Sequence, residues 1–298
     1  MSFLSLISSV ELGLIYAVMA LGIFLSFRTL NTPDLTVDGS LVTGAAVSAV
    51  MCSAGINPVL ALICALMAGG LAGIVTALIN TKLKIQSLLA GILVMLGLYS
   101  VNMRIMGGKA NIPLLNVDTI YNKFNEIIAN SYSALVLSLI ILIIVIILFF
   151  LFLKTRLGFA LRATGDNEDM IKACGVDSHL MRIIGLCISN GLVGLAGGML
   201  SQYQGYTDIG MGVGMVVIGL ASVIIGEVVF GTKTLMRRLI AVALGAILYR
   251  LIISLALEFG MEPMDLKLVS AVIVTIALAF GMLGGKFSFR RKGGKKNA

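Results

Sequence analysis

Residues Ser133–Val176 read SALVLSLIILIIVIILFFLFLKTRLGFALRATGDNEDMIKACGV. The first part, through Leu153, carries no charge, no glycine and no proline. An α-helix rises about 1.5 Å per residue, so a run of this length reaches across a hydrocarbon layer about 30 Å thick. From Lys154 onward the character inverts. Lys154, Arg156, Arg162, Asp166, Glu168, Asp169 and Lys172 follow in quick succession, and a segment so charged does not lie in lipid. An apolar crossing followed by a charged excursion marks a chain that passes through a membrane and surfaces.

Elsewhere the chain repeats this alternation. Its 298 residues are 59% hydrophobic and 12% charged, with a mean hydropathy of +1.06, whereas an ordinary soluble domain is about one quarter charged. Apolar runs of crossing length, separated by polar or turn-forming clusters, predict about nine spans. They are Leu6–Phe27, Leu35–Cys52, Pro58–Asn80, Ser87–Ile105, Ser133–Leu153, Leu180–Gln202, Gly210–Phe230, Leu239–Leu257 and Leu268–Leu283. The second is short and carries Asp38, Gly39 and Gly44. The expected fold is all-α, a single polytopic transmembrane helical bundle over 1–298.

Lys and Arg in short loops are retained on the cytoplasmic side. With the N-terminus outside, nine crossings put Arg28, then Lys82 and Lys84, then the Lys154–Arg182 cluster, then Lys233, Arg237 and Arg238, and the basic tail 286–298 on the inside. The outside keeps Arg104, Lys109, Lys123 and Lys267. An N-out, C-in topology in the inner membrane is therefore expected. The net charge of +8 sits in these loops and in the tail, which predicts contact with membrane lipid and not a nucleic-acid partner. Cys52, Cys64, Cys174 and Cys187 form no CxxC pair and His179 is alone, so neither disulfide nor metal is expected. Met1–Ser5 lacks a basic n-region, and the first apolar run should persist as a helix.

Two connections exceed the length a turn requires, and long ordered loops tend to carry function. In the outer one, 107–130, Pro113, Asn116 and Asp118 predict a turn, then a short helix over Ile120–Ile128 lying on the membrane or under a docked partner. In the inner one, 154–178, Leu157, Leu161 and Thr164 recur at helical spacing. Gly165 is a natural stop, Asp166 or Asn167 can cap a second helix over Glu168–Cys174, and Gly175 ends it.

This inner segment resembles the cytoplasmic coupling helix of the branched-chain amino acid and ribose type permeases of ABC importers. That family carries Gly-x-x-x-Arg-Ala-x-Gly-x-Asn followed by an Ala-x-x-x-Gly-Val-like element. Gly158, Arg162, Ala163, Gly165, Asn167, Gly175 and Val176 supply it in order, with Cys174 beside Ala173 as a departure. The resemblance extends to GLCISNGLVGLAGGML over Gly185–Leu200, QGYTDIGMGVG over Gln204–Gly214, and PDLTVDGS over Pro33–Ser40. It is similar above all to the subset associated with aromatic amino acid uptake. The resemblance implies a permease with a type II-like fold whose segment Leu157, Gly158, Leu161, Arg162, Ala163, Thr164, Gly165, Asp166, Asn167, Gly175 and Val176 docks an ATPase subunit. It also implies an extracytoplasmic solute-binding protein, a second permease copy, and ATP and Mg bound only by the ATPase.

Other features stand on the residues themselves. Gly185, Ser189, Gly191, Gly194, Ala196, Gly197 and Gly198 are small residues at close helical spacing, which let helices approach where no hydrophobic effect drives them together. Asp38–Gly44 and Asp208–Gly214 each place an aspartate six positions before a glycine. This echo points to an inverted repeat with interrupted helices, or else to ordinary capping. Arg250 lies deep in its run, where a guanidinium can receive a carboxylate of the solute, pair with Glu11 or Asp208, or reach toward the interface. Asn102, Asn190, Gln202 and Gln204, with Asp38 and Asp208, are candidates for the translocation path or for hydrogen bonds between helices. Gly231–Thr234 only echoes a phosphate loop, without its first glycine. No catalytic role is expected of the chain itself; an ion-coupled secondary transporter or channel is the alternative.

Overall fold

In a computed structural model of the chain, residues 3–128, 132–261, 265, 268–272 and 275 are described. Helix dominates because each apolar run must satisfy its own backbone hydrogen bonds. α1 (Phe3–Ile23) continues as a π-helical stretch Phe24–Thr29, and α2 (Thr36–Ser53), α3 (Pro58–Lys82) and α4 (Ser87–Ile105) follow. Next come α5 (Ile120–Ile128), α6 (Ser133–Lys154), α7 (Arg156–Asp166), α8 (Glu168–Ala173) and α9 (Ser178–Gln204). α10 (Met215–Phe230) and α11 (Leu235–Glu258) follow.

Among the described residues seven helices are long and apolar enough to cross a membrane, and α10 is a shorter apolar helix. The expected runs correspond to α1–α4, α6 and α9–α11, with α10 beginning five residues later than its run. Gly205 and Gly214, both at positive φ, bracket a loop that dips back before α10 starts. The ninth run, Leu268–Leu283, lies for the most part outside the described residues, as does the tail 286–298.

The all-α expectation needs one addition. β1 (Asn111–Pro113) and β2 (Tyr206–Asp208) form an antiparallel pair with Asn111 opposite Asp208 and Pro113 opposite Tyr206. Three-residue strands have no period to read; only the fold brings these loops together. The ladder fastens the 107–128 segment to the end of α9, and Leu114 N–H donates to Gly205 O across the junction at 2.8 Å.

α9 is the hub, packed against α3, α2 and α1. Its small-residue face makes this possible. A Cβ on Gly44 of α2 would overlap the Gly194 backbone, and one on Gly69 of α3 would overlap the Asn190 carbonyl. α1 is buried nearly all around, with Ile15, Met19, Leu21 and Ile23 fully enclosed between α9, α11, α6 and α10. α6, by contrast, presents Ile140, Ile143, Ile144, Ile147 and Leu148 outward.

Candidate functional site

The α7–α8 segment is a folded platform at one end of the bundle. Thr155 caps α7, its Oγ1 accepting from Gly158 N–H at 3.2 Å. Gly158, Leu161 and Thr164 face inward. A Cβ on Gly158 would strike the Phe152–Leu153 backbone, and one on Gly165 the Thr29 carbonyl. Gly165 does not stop the helix, which runs one residue further to Asp166. Its missing side chain serves packing against the end of α1 instead of a turn.

Of the two residues that could cap α8, Asn167 does so. Its Oδ1 accepts from Met170 N–H at 3.0 Å, while Asp166 is the last residue of α7. Gly175, at φ +78°, ends α8, and Val176 N–H donates back to Ile171 O at 3.2 Å. Glu168 ties this corner to α9: it accepts from the Ser178 hydroxyl at 3.0 Å, bridges to Lys172 at 2.9 Å and pairs with Arg182. The Lys172 ammonium, helped by Ser178 and Arg182, holds the Glu168 carboxyl below its ordinary value. The solvent face of the segment exposes Leu157, Phe159 and Met170 among the charged Arg156, Asp166, Asp169 and Lys172.

Arg162 does not point outward with that face. Its guanidinium lies 4.5 Å over the Phe159 ring, and with Ala163 and Asp166 it lines a pocket against Arg28 and the loop before α11.

The residues expected along a path divide into two groups. Asp38, in the first turn of α2, receives Gly214 N–H at 3.0 Å and Val216 N–H at 2.9 Å, so its carboxylate caps α10. Asn102 donates to Gly39 O at 3.3 Å, and its buried Oδ1 has no partner among the described residues. Both line a cavity of about 190 Å³ with Met95, Tyr99 and Val213.

Asn190 and Gln202 lie elsewhere, buried between helices. Asn190 accepts from the Ser40 hydroxyl at 2.7 Å and donates to Asp34 Oδ2 at 2.7 Å. Gln202 donates to Ser48 Oγ at 2.9 Å and Pro58 O at 3.2 Å and accepts from Ile120 N–H at 2.9 Å. These amides join helices. Gln204 ends α9, and Asp208, on β2, accepts from Gly210 N–H at 2.7 Å, so the two aspartates of the echo do different work.

Arg250 pairs with neither acid named for it. Its guanidinium sits 5.2 Å from the Tyr16 ring centroid, while Glu11 is taken by the Tyr203 hydroxyl at 2.7 Å. Asp34 was not singled out by its sequence, yet it is wholly buried and bound by Asn190 and by Thr36 N–H at 2.8 Å. Its one signal was an acid between two apolar runs.

A family described as the permease component of branched-chain amino acid transport systems matches residues 5–279. The chain belongs to that family. The permease is 41% identical over 278 residues to a tyrosine transport system permease protein of Clostridioides difficile, covering 93% of this chain and 92% of that one. It is 27% identical to a probable branched-chain amino acid transport permease, LivH, of Methanocaldococcus jannaschii, covering 62% of each chain. To the autoinducer 2 import system permease LsrC of Salmonella typhimurium it is 28% identical, over 72% of this chain and 60% of the other. No solved structure matches. With seven long apolar helices among its described residues, the permease is a multi-pass protein of the inner membrane that imports a small solute.

Proposed function

We propose that the permease carries an amino acid, of the aromatic class, as the membrane subunit of an ABC importer. The observation that carries this is the 41% identity, over nearly the whole of both chains, to a permease named for tyrosine. The cavity between α2, α4 and the loop before α10 is in keeping with it. Asp38 and the unpaired Asn102 oxygen supply acceptors there, and Tyr99 and Met95 an apolar wall, which suits a solute with an ammonium group and a ring.

On this reading α7 and α8 dock a cytoplasmic ATPase that binds ATP and Mg. The exposed Leu157, Phe159 and Met170 form the contact, and Gly158, Leu161, Thr164, Gly165, Asn167, Gly175 and Val176 shape and brace it. The ladder end of the bundle, with α5, receives a solute-binding protein, and a second permease copy completes the pathway. The topology is N-out and C-in. Support for an inverted repeat is that α2 and α10 begin beside one another, joined through Asp38.

Proteoliposomes holding the permease, its ATPase and its binding protein are expected to take up tyrosine only with ATP. Uptake driven by an ion gradient without nucleotide would favour a secondary transporter. Leu157→Asp, a change at an exposed position, is expected to lower copurification of the ATPase at least tenfold, a loss of about 1.4 kcal/mol. Undiminished copurification would remove α7 from the docking surface.

A further inference from the structure

Three segments far apart in sequence converge on one pocket at the α7 end of the bundle. The π-helical stretch after α1 contributes Phe24, Arg28 and Thr29, α7 contributes Phe159, Arg162 and Asp166, and the α10–α11 connection with the first turn of α11 contributes Thr232–Leu235 and Arg238. The cavity measures about 370 Å³. Four cations, Arg28, Arg162, Lys233 and Arg238, gather against two carboxylates.

One of those carboxylates is already engaged. Glu227, behind the pocket, pairs with Arg28 at 2.8 Å and lies 3.6 Å from Arg238. The other, Asp166, is exposed at the rim. Arg162 and Lys233 make no ion pair among the described residues, and the Nε atoms of Arg162 and Arg238 lack hydrogen-bond partners. α11 begins at this same wall with Thr234 as its cap, and the N-terminus of a 24-residue helix adds its own positive potential.

We propose that this pocket binds the phosphodiester headgroup of an anionic phospholipid. Guanidinium groups suit phosphate oxygens through paired N–H donors, and basic pockets between spans on the cytoplasmic side take such headgroups. The acyl chains have a surface to follow. Val228 and Val229 of α10 and Ile240 and Leu244 of α11 are exposed, which favours a lipid over a soluble anion or an acidic protein side chain. The site stands on this chain's own residues whatever solute the permease carries.

The test uses the full-length permease, delipidated in mild detergent and titrated with palmitoyl-oleoyl phosphatidylglycerol while bound lipid is counted by native mass spectrometry. Phosphatidylcholine and inorganic phosphate are titrated in parallel. Phosphatidylglycerol is expected to bind at least tenfold more tightly than either, and Lys233→Gln, on an exposed turn, to weaken it about threefold. Arg162→Gln combined with Lys233→Gln is expected to weaken it tenfold or more, with Lys82→Gln/Lys84→Gln, on a different connection, unchanged. Equal loss in the Lys82/Lys84 variant would reduce the site to diffuse attraction and overturn the proposal. So would phosphate binding as tightly as lipid, undiminished affinity in the double variant, or displacement of the lipid by bound ATPase.

Discussion

The helix whose sequence is most apolar, α6, is among the least buried spans, whereas α2, the least apolar of the seven, is largely enclosed. Water reverses this order; lipid explains it. A lipid-facing helix needs only to match its solvent, so α6 can be an almost unbroken aliphatic rod. A helix inside the bundle gains nothing from hydrophobicity against hydrocarbon. It is held by close approach and by hydrogen bonds: Gly44 against Gly194, Ser40 to Asn190, and Thr36 to Thr76 at 2.7 Å.

The largest effect is expected at Asn190. Asn190→Leu removes the amide that donates to Asp34 and accepts from Ser40 in a site closed to water; leaving buried polar groups without that partner costs about 1–3 kcal/mol for each. Thermal unfolding of the purified permease should show a large drop, and an unchanged midpoint would mean that the α2–α9 contact does not depend on this cluster. Gly194→Ala comes next. Its Cβ would meet the Ala65 carbonyl, and overpacking a tight contact costs roughly 1–3 kcal/mol. Serine at the same position should be no better, since space and not polarity is limiting. Ile143→Ala, on the exposed face of α6, should be smallest, within about 0.5 kcal/mol. A loss comparable to that at Gly194 would show that this face is covered by protein, as in a dimer.

Legibility followed the same division. The boundaries of α4 and α5 were readable to the residue, because charge, polar clusters and turn formers change abruptly there. The inner segment was readable as two short helices, although the sequence left Asp166 and Asn167 open as caps and took Gly165 for a stop. The roles of the in-span polar residues were not. Asn102 and Asn190 look alike in sequence, yet one lines a cavity with a free oxygen while the other is consumed between helices. Likewise Arg162 reads as one of a run of docking residues, and only the fold places it beside Arg28 and Arg238.

Membrane residence, helical class and the position of the charged excursion at Lys154–Ser178 were determined by the sequence alone. They depend on how many apolar residues run together, and the solvent acts on that property locally. Which helix lies inside, what Asp34 and Asp38 bind, and the meeting of Arg28, Arg162 and Lys233 were decided only by the tertiary structure. Each of these depends on groups brought together from distant parts of the chain, and their contacts arise from interhelical packing that leaves no period in the sequence.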